Sequence, residues 1–227
     1  DVMIVGGVDV LVDAIMITGF AKLGALSERN DDPQGASRPF DSDRDGFVLG
    51  EGAGILILEE RGRALERGAE ILAELSGYGC SCNAYRITDS PPDGRGAYQS
   101  MTAALEDAGL EPGDIGYINA HGTSTPMNDP SEAKGIIRTF QNPVPVSSTK
   151  SSMGHLVAAC GAVEAIVCVQ AIRTGQLPPT INLDRPDPVC ALNHVANVAR
   201  SVRIDHAMTN AFGFGGSNGS LVLSRHG

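Results

Sequence analysis

The chain has 227 residues, a hydrophobic fraction of 42% and a formal net charge of -10, with a pI near 4.9. A chain of this length can bury a large core, as one large domain or two small ones. The acidic balance argues against nucleic-acid binding, which needs a basic face, and apolar runs such as residues 55–58 are too short to cross a bilayer. The five cysteines are an odd number, which argues against a disulfide framework. We therefore expect a soluble, cytoplasmic protein with reduced thiols that binds neither nucleic acid nor a membrane.

Residues 1 to 67 predict two apolar strands separated by a helix and a long polar loop. Residues 2–10 open with an apolar run that two glycines follow, which indicates a buried strand, and residues 46–59 predict a second. Between them, residues 11–26 predict a helix, and residues 27–46, rich in Asp, Arg, Pro and Ser, predict a loop. A short charged helix is expected near residues 60–67.

Strands and helices alternate from residue 70 to the end of the chain. The pattern predicts strand 70–79, helix 96–108, strand 115–120, helix 130–140, strand 144–147, helix 154–174, and strands 207–212 and 220–223. Asp129 suits the N-cap of the 130–140 helix, Pro130 its first position and Glu132 the reciprocal capping position. Alternating strands and helices, one of them long and apolar, predict an α/β layered fold.

Three apparent ligand-binding motifs fail when their full geometry is considered. Residues 41–46 begin like a calcium-binding loop, but the twelfth position, which must be a bidentate glutamate, is Gly52. The glycine-rich residues 50–54 and 213–219 lack the third glycine of a dinucleotide fingerprint between a strand and a helix. Cys80 and Cys82 have no second ligand pair at a spacing typical of zinc sites. The sequence therefore indicates no metal and no nucleotide cofactor.

Reactive side chains cluster in three segments that lie next to predicted strand ends or helix starts. The segments are residues 119–125 with His121, residues 147–155 with Lys150 and His155, and the glycine-rich residues 210–218. Taken singly, each has an ordinary structural explanation, since a histidine near a strand end is more often a hydrogen bonder than a catalyst. Only their combination indicates chemistry.

Together and in this order, the three segments resemble the elongating β-ketoacyl-acyl-carrier-protein synthases of fatty acid and polyketide synthesis. The resemblance extends to residues 37–41, 44–48, 178–184 and 219–220, and chance agreement over so many segments is negligible beside a single-motif match. It implies the thiolase-like layered αβαβα fold. Residues 1–68 would be the tail of a truncated first half, and residues 69–227 a complete second half.

The resemblance implies roles for four residues in a decarboxylative condensation. His121 and His155 match two imidazoles that donate N–H groups to a thioester oxygen as enolate charge develops. If His155 begins a helix, the positive helix end would keep its ring neutral. Lys150 matches the lysine that organises charge around the histidines, and Glu164 the glutamate that pairs with this lysine. Nine positions along one helix would, however, place Glu164 opposite His155, so helical geometry does not explain that pairing.

Four further residues are assigned by the resemblance to gating and substrate binding. Phe214 matches a gating phenylalanine whose backbone N–H contributes to an oxyanion hole, and its neighbouring glycines permit the backbone to move. Thr88, Thr123 and Thr125 match residues that hydrogen-bond a pantetheine arm. The implied substrates are carried on the phosphopantetheine of acyl carrier protein, and no separate cofactor or metal is implied.

Acyl carrier protein is the partner that the resemblance implies, together with a homodimer formed through the first-half sheet. The carrier is acidic, so a local basic patch should receive it, for which Lys22 and Arg29 are candidates. The family's nucleophilic cysteine would precede the segment matching residues 1–7, so none of the five cysteines occupies its position. Cys160 and Cys168 are expected inside the apolar helix. The chain by itself is therefore predicted to be inactive.

Four alternatives differ at the residues that carry the resemblance. A chain-length-factor type of interaction partner often lacks the histidines, so retention of His121, Lys150 and His155 argues against it. Starter synthases of the short-chain type have asparagine at the position of His155. Thiolases would show a second cysteine where Ser217 and Asn218 stand. A truncated scaffold chain without any thioester chemistry remains as a further alternative.

Overall fold

Two main β-sheets and six α-helices make up the computed structural model, which describes all residues from 1 to 227. The strands are β1 (Val2–Asp9), β2 (Gly52–Glu59), β3 (Glu74–Cys82), β4 (Tyr117–Asn119), β5 (Pro145–Ser147), β6 (Gln176–Leu177), β7 (Asn193–His194), β8 (Arg200–Ser201), β9 (His206–Gly213) and β10 (Ser217–Ser224). The helices are α1 (Ala14–Lys22), α2 (Arg61–Glu66), α3 (Arg95–Ala108), α4 (Asn128–Thr139), α5 (Lys150–Met153) and α6 (Cys160–Thr174). The α/β class predicted from the alternating pattern is confirmed.

The larger sheet brings the ends of its central strands to one edge. Its order is β3-β10-β9-β4-β5-β7; the pairs β9–β4, β4–β5 and β5–β7 are parallel, whereas β3–β10 and β10–β9 are antiparallel. Asn119, the last residue of β4, pairs with Ser147, the last residue of β5. Segments that follow parallel strands leave the sheet on the same side, which is where α/β proteins build their sites. The segments that hold His121 and Lys150 are therefore neighbours.

The smaller main sheet pairs β1 with β2 and covers one side of α6. Its strands are antiparallel, with Val5 opposite Leu56. At Gly54 the strand and the helix approach closely, and a Cβ placed on this glycine would lie 2.9 Å from the backbone nitrogen of Val163. The opposite face is apolar and exposed, with Ile4 73% and Ile57 68% accessible. Exposed apolar surface of this kind is typical of surfaces that contact further protein.

α6 contacts both main sheets and forms the centre of the layered structure. The segment Val157–Thr174 is long and apolar enough, by length and composition, to cross a membrane. Here it contacts β1 and β2 on one side and β9, β10 and β4 on the other. Its buried residues, such as Cys168 and Ile172, join the hydrophobic core with strand residues such as Tyr117. Burial between two sheets is the situation of a core helix in a layered α/β protein.

The predicted helix 154–174 is wrong at its start. α5 ends at Met153, because Gly154 follows with a φ of +74° that breaks the helix, and α6 begins only at Cys160 after a 3-10 turn at Val157–Ala159. Between them, His155 lies in extended backbone, because its N–H donates to Val48 O and its carbonyl accepts from Gly50 N. His155 therefore does not begin a helix, and a helix dipole does not explain its properties.

The remaining element boundaries shift by a few residues. The predicted helix 11–26 is the shorter α1, and the predicted strand 46–59 is regular only from Gly52 onward. The strand predicted at 70–79 is β3, which begins four residues later, at Glu74. The division predicted between residues 68 and 69 falls in the connection between α2 and β3, and it stays a prediction.

Candidate active site

A cavity of about 490 Å³ lies at the edge of the larger sheet where the three predicted segments meet. Six of the eight residues singled out from the sequence line it: Thr88, His121, Thr123, Thr125, His155 and Phe214. Lys150 and Glu164 are not among its lining residues, and they are buried with 1% and 0% of their surface accessible. The fold thus gathers side chains from positions far apart in the sequence around one cavity.

The two histidines face each other edge to face. Their ring centroids are 5.4 Å apart with an interplanar angle of 84°. Burial, followed by the positive charge of Lys150, lowers the pKa of His155 to about 3, and the same causes hold the pKa of His121 well below its usual value. Both rings are therefore neutral at pH 7, and each can present one N–H as a hydrogen-bond donor.

The backbone after His155 decides which of its ring nitrogens carries the proton. The N–H of Val157 donates to Nδ1 of His155 over 3.1 Å. A backbone N–H can only donate, so Nδ1 is an acceptor and the proton of the neutral ring is on Nε2. Val157 adopts a φ of +48°, which is unusual for a β-branched residue and brings its N–H close to the ring. The strained turn therefore sets the tautomer of His155.

Glu132 holds the backbone of the His121 segment and does not cap its own helix. Its two carboxylate oxygens accept from the N–H groups of His121 and Gly122, each over 2.8 Å, and Asn210 Nδ2 donates to the same carboxylate. Met127 is the N-cap residue of α4 and makes no side-chain capping bond. The capping role predicted for Glu132 is therefore wrong. Burial raises the pKa of Glu132, while the backbone N–H donors act to lower it.

Asp129 joins the site loop to the preceding polar loop. Its carboxylate accepts from the N–H of Phe40 over 2.8 Å, and Arg44 Nε lies 3.8 Å away. Arg44 Nε also donates to the carbonyl of Thr125, whose hydroxyl lies 2.8 Å from that of Thr123. Asp129 is thus a buried anchor of the loop that holds both threonines, and its predicted role as N-cap is wrong.

The sequence of α4 indicates that the carboxylates of Asp129 and Glu132 are buried. In α4 they share one helix face with Ala133 and Ile136, at the i, i+3, i+4, i+7 spacing of a buried stripe. An acid on the apolar face of a helix is rarely left unpaired, so Asp129 and Glu132 could have been identified as buried hydrogen-bond acceptors.

Lys150 and Glu164 form a buried ion pair behind the histidines. Their Nζ and Oε1 atoms are 2.5 Å apart. Burial raises the pKa of Glu164 to about 7 against the opposing effect of Lys150, and Glu164 keeps the pKa of Lys150 above its usual value although burial alone would lower it. The break between α5 and α6 removes the geometric objection to this pairing, since His155 and Glu164 do not share one helix.

Phe214 lies in the turn between β9 and β10. Its side chain is 53% accessible, and the next two residues, Gly215 and Gly216, both have a φ of +83°. The N–H of Gly215 donates to the carbonyl of Ile87, the residue before Thr88. The turn that carries Phe214 is thus tied to the segment that carries Thr88.

Cys160 lies closer to the site than the sequence indicated. It is the first residue of α6, and its Sγ is 3.3 Å from Nδ1 of His155. Burial raises the pKa values of Cys160 and Cys190 to about 11 and 12, and it raises that of Cys168 strongly. Cys80 and Cys82 are exposed on β3.

Family models and curated relatives identify the chain's family. The model of the β-ketoacyl synthase N-terminal domain matches residues 1–64, and that of the β-ketoacyl synthase C-terminal domain matches residues 72–184. The 3-oxoacyl-[acyl-carrier-protein] synthase 2 of Synechocystis is 51% identical over 227 residues, covering 99% of this chain and 55% of the relative. That of Coxiella burnetii is 51% identical over 228 residues, with the same two coverages. The chain spans about half the length of the curated relatives it matches.

Solved structures agree with this assignment and confirm the thiolase-like fold. One similar structure is that of a type II polyketide synthase acyl-carrier protein in complex with its ketosynthase bound to the hexaketide. It matches with a TM-score of 0.96 and 38% identity, covering 100% of this chain and 57% of that chain. A β-ketoacyl synthase from Burkholderia phymatum matches with a TM-score of 0.95 and 41% identity, covering 100% and 55%. The ishigamide ketosynthase/chain length factor matches with a TM-score of 0.93 and 39% identity, covering 100% and 54%. The chain therefore belongs to the β-ketoacyl synthase family.

Proposed function

We propose that this chain supplies the enolate-stabilising residues of a β-ketoacyl-acyl-carrier-protein synthase. In the reaction, the C–C bond of a malonyl thioester breaks and releases CO₂, and the electron pair forms an enolate. The enolate carbon attacks an acyl group held on a cysteine, and the thiolate leaves as the β-ketoacyl product forms. The observation that carries the proposal is the pair of neutral histidines lining one cavity, with ring centroids 5.4 Å apart.

His121 and His155 would act as donors to the thioester oxygen. Negative charge grows on that oxygen as CO₂ leaves, so fixed N–H groups stabilise the transition state more than the ground state. An imidazolium at either position could lose its proton to the enolate and end the condensation. The low pKa of both rings, caused by burial and by Lys150, supports their role as neutral donors.

Lys150 and Glu164 would set the electrostatics behind the histidines. The ammonium group of Lys150 disfavours protonation of both rings, and Glu164 balances its charge in the core. With Nζ held at 2.5 Å from this carboxylate and fully buried, Lys150 is unsuited to attack a thioester. We assign it a supporting role.

The remaining lining residues would receive the substrate arm. Thr88, Thr123 and Thr125 line the same cavity as His121, and their hydroxyls are the proposed partners for the pantetheine of an acyl carrier protein. Phe214 would gate the entrance, with its glycine neighbours as hinges.

Acyl carrier protein is the proposed partner. A similar ketosynthase was solved in complex with its acyl-carrier protein. Lys22 is exposed at the end of α1, next to the cavity residue Leu23, whereas the guanidinium of Arg29 donates to the carbonyl of Asp43. Lys22 is therefore the better candidate for contact with an acidic carrier.

Assembly, location and cofactor requirement complete the proposal. We propose a homodimer that forms through first-half residues and uses only substrates carried on phosphopantetheine. The exposed apolar face of the β1–β2 sheet supports association with further protein. Location in the cytoplasm also stays a prediction, and one relative, from Arabidopsis thaliana, is named as mitochondrial.

The test uses a full-length protein in which this chain is joined to a first half that supplies the cysteine. His121→Ala and His155→Ala should each abolish malonyl decarboxylation while leaving acyl transfer to the cysteine largely intact. Equal loss of both half-reactions would refute the assignment.

The chain alone should form no acyl-enzyme and no β-ketoacyl product, because its buried thiols have raised pKa values and its exposed thiols, Cys80 and Cys82, are not among the residues that line the cavity. Mass spectrometry after incubation with acyl and malonyl carrier proteins would detect either species. A chain-length-factor role, to which one of the similar structures points, would be favoured if the full-length protein bound a partner ketosynthase and had no decarboxylase activity.

A further inference from the structure

We propose that Cys160 is a positioning residue whose thiol donates to Nδ1 of His155 and helps to keep the ring proton on Nε2. The proposal deepens the function proposed above, and only its kinetic consequence rests on that function. The hydrogen-bond geometry around the ring can be tested without any activity.

The donors and acceptors around Cys160 leave one consistent arrangement. The N–H of Leu156 points at Sγ of Cys160 over 3.2 Å, so the sulfur accepts there. The same sulfur lies 3.3 Å from Nδ1 of His155, which already accepts from the N–H of Val157 over 3.1 Å. An acceptor nitrogen facing a thiol requires S–H as the donor. Two donors, one from the backbone and one from Cys160, therefore share the lone pair of Nδ1.

The surroundings of the thiol keep it protonated and unreactive. Cys160 is only 3% accessible, and burial raises its pKa to about 11 despite the opposing influence of Lys150. The neighbouring imidazole is a poor base, since its own pKa is lowered to about 3. A thiol and an imidazole in contact can form a nucleophilic pair, but this pair lacks both the accessible sulfur and the basic ring that such a role needs. The S–H group remains available as a hydrogen-bond donor.

Loss of this donor should weaken the preference of His155 for the Nε2–H form. The donor at Nδ1 stabilises the tautomer that presents Nε2–H, and it opposes a proton on Nδ1. In a full-length protein, Cys160→Ala should therefore lower kcat for malonyl decarboxylation by at most about twofold, with KM unchanged, because the N–H of Val157 still donates to Nδ1 and keeps most of the ring in the Nε2–H form. Cys160→Ser keeps a donor of similar size and should restore the rate.

The decisive measurement is nitrogen NMR of the chain labelled with ¹⁵N-histidine, which contains five histidines. The matched control is Cys168→Ala, which removes a second buried thiol from α6 whose Sγ contacts the carbonyl of Met208. In Cys160→Ala the Nδ1 resonance of His155 should move toward that of an imidazole nitrogen with fewer hydrogen bonds. It should stay close to the wild-type position in Cys160→Ser and Cys168→Ala.

Three outcomes would overturn the proposal. An unchanged Nδ1 resonance in Cys160→Ala, or an equal change in Cys168→Ala, would show that the thiol does not donate to His155. Acylation of Cys160 by an acyl carrier protein would show that it is a nucleophile. If the full-length wild-type protein had no decarboxylase activity, the proposed function would fail, while the NMR comparison would still decide the role of Cys160.

Discussion

Replacement of Lys150 by methionine should destabilise the protein by about 3–5 kcal/mol, because it leaves a buried carboxylate without a partner. In the native structure Oε1 of Glu164 accepts only from Lys150, and Oε2 has no hydrogen-bond partner. Neither side chain has more than 1% of its surface accessible, so water cannot take the place of the ammonium group. The lost energy is a large part of the 5–15 kcal/mol by which proteins are typically stable.

The double variant Lys150→Met, Glu164→Leu separates the cost of a broken pair from the value of the pair. It removes both charges and restores apolar contacts, so its stability should return to within about 1–2 kcal/mol of the wild type, since buried pairs gain little over apolar residues. A double-mutant cycle built from Lys150→Met, Glu164→Leu and the double variant should therefore give a large interaction energy between the two side chains.

The pH dependence of the single variant gives an independent check. Burial already raises the pKa of Glu164 to about 7, and loss of Lys150 removes the main influence that opposes this rise. A folded-state pKa above the unfolded one favours folding at low pH and loses this contribution as pH rises. The free energy of unfolding of Lys150→Met should thus fall from pH 5 to pH 8 by up to about 1.4 kcal/mol per pH unit.

Urea unfolding of the full-length proteins at pH 5, 7 and 8, followed by circular dichroism, measures these differences. A cost below about 1 kcal/mol for Lys150→Met at pH 7, or a double variant as unstable as the single one, would refute the buried-pair argument.

Three further changes test other parts of the site and the fold. The folded-state pKa of His155 is depressed to about 3. The free energy of unfolding should therefore fall as pH drops below about 6.5, by up to about 1.4 kcal/mol per pH unit. In urea titrations, His155→Gln should flatten this dependence. Glu132→Gln turns an amide group toward backbone N–H donors, so it should lower the free energy of unfolding by roughly 1.5–3 kcal/mol and slow malonyl decarboxylation. An unchanged decarboxylation rate would contradict the role of Glu132 in holding the His121 segment. Gly54→Ala should lower the melting temperature by the equivalent of about 1–3 kcal/mol, because its Cβ would meet the backbone of α6, whereas the control Gly113→Ala has open space and should change little.

The sequence by itself determined the class of fold and singled out the three segments that carry the candidate site. Strand and helix periodicities are local, so the alternating pattern was sufficient to predict layered α/β architecture. The resemblance grouped these segments into one site, and the observed parallel pairing of β4 with β5 explains their proximity, because the segments after both strands leave the sheet at the same edge. The motifs within residues 119–125, 147–155 and 210–218 then identified the family, because their order and spacing are specific even though each motif alone is not.

Only the tertiary structure decided what the buried polar residues contact. Asp129 and Glu132 match a capping pattern locally, but their carboxylates accept from Phe40 and from the His121 segment, which lie far away or on another element. Gly154 breaks the apolar helix because the following residue bonds to the backbone of residues 48 and 50, more than a hundred positions earlier. That break frees Glu164 to meet Lys150 and brings Cys160 to His155. Long-range hydrogen bonds compete with local propensity, and in a buried site they prevail because an unpaired polar group there costs more than a lost helical turn.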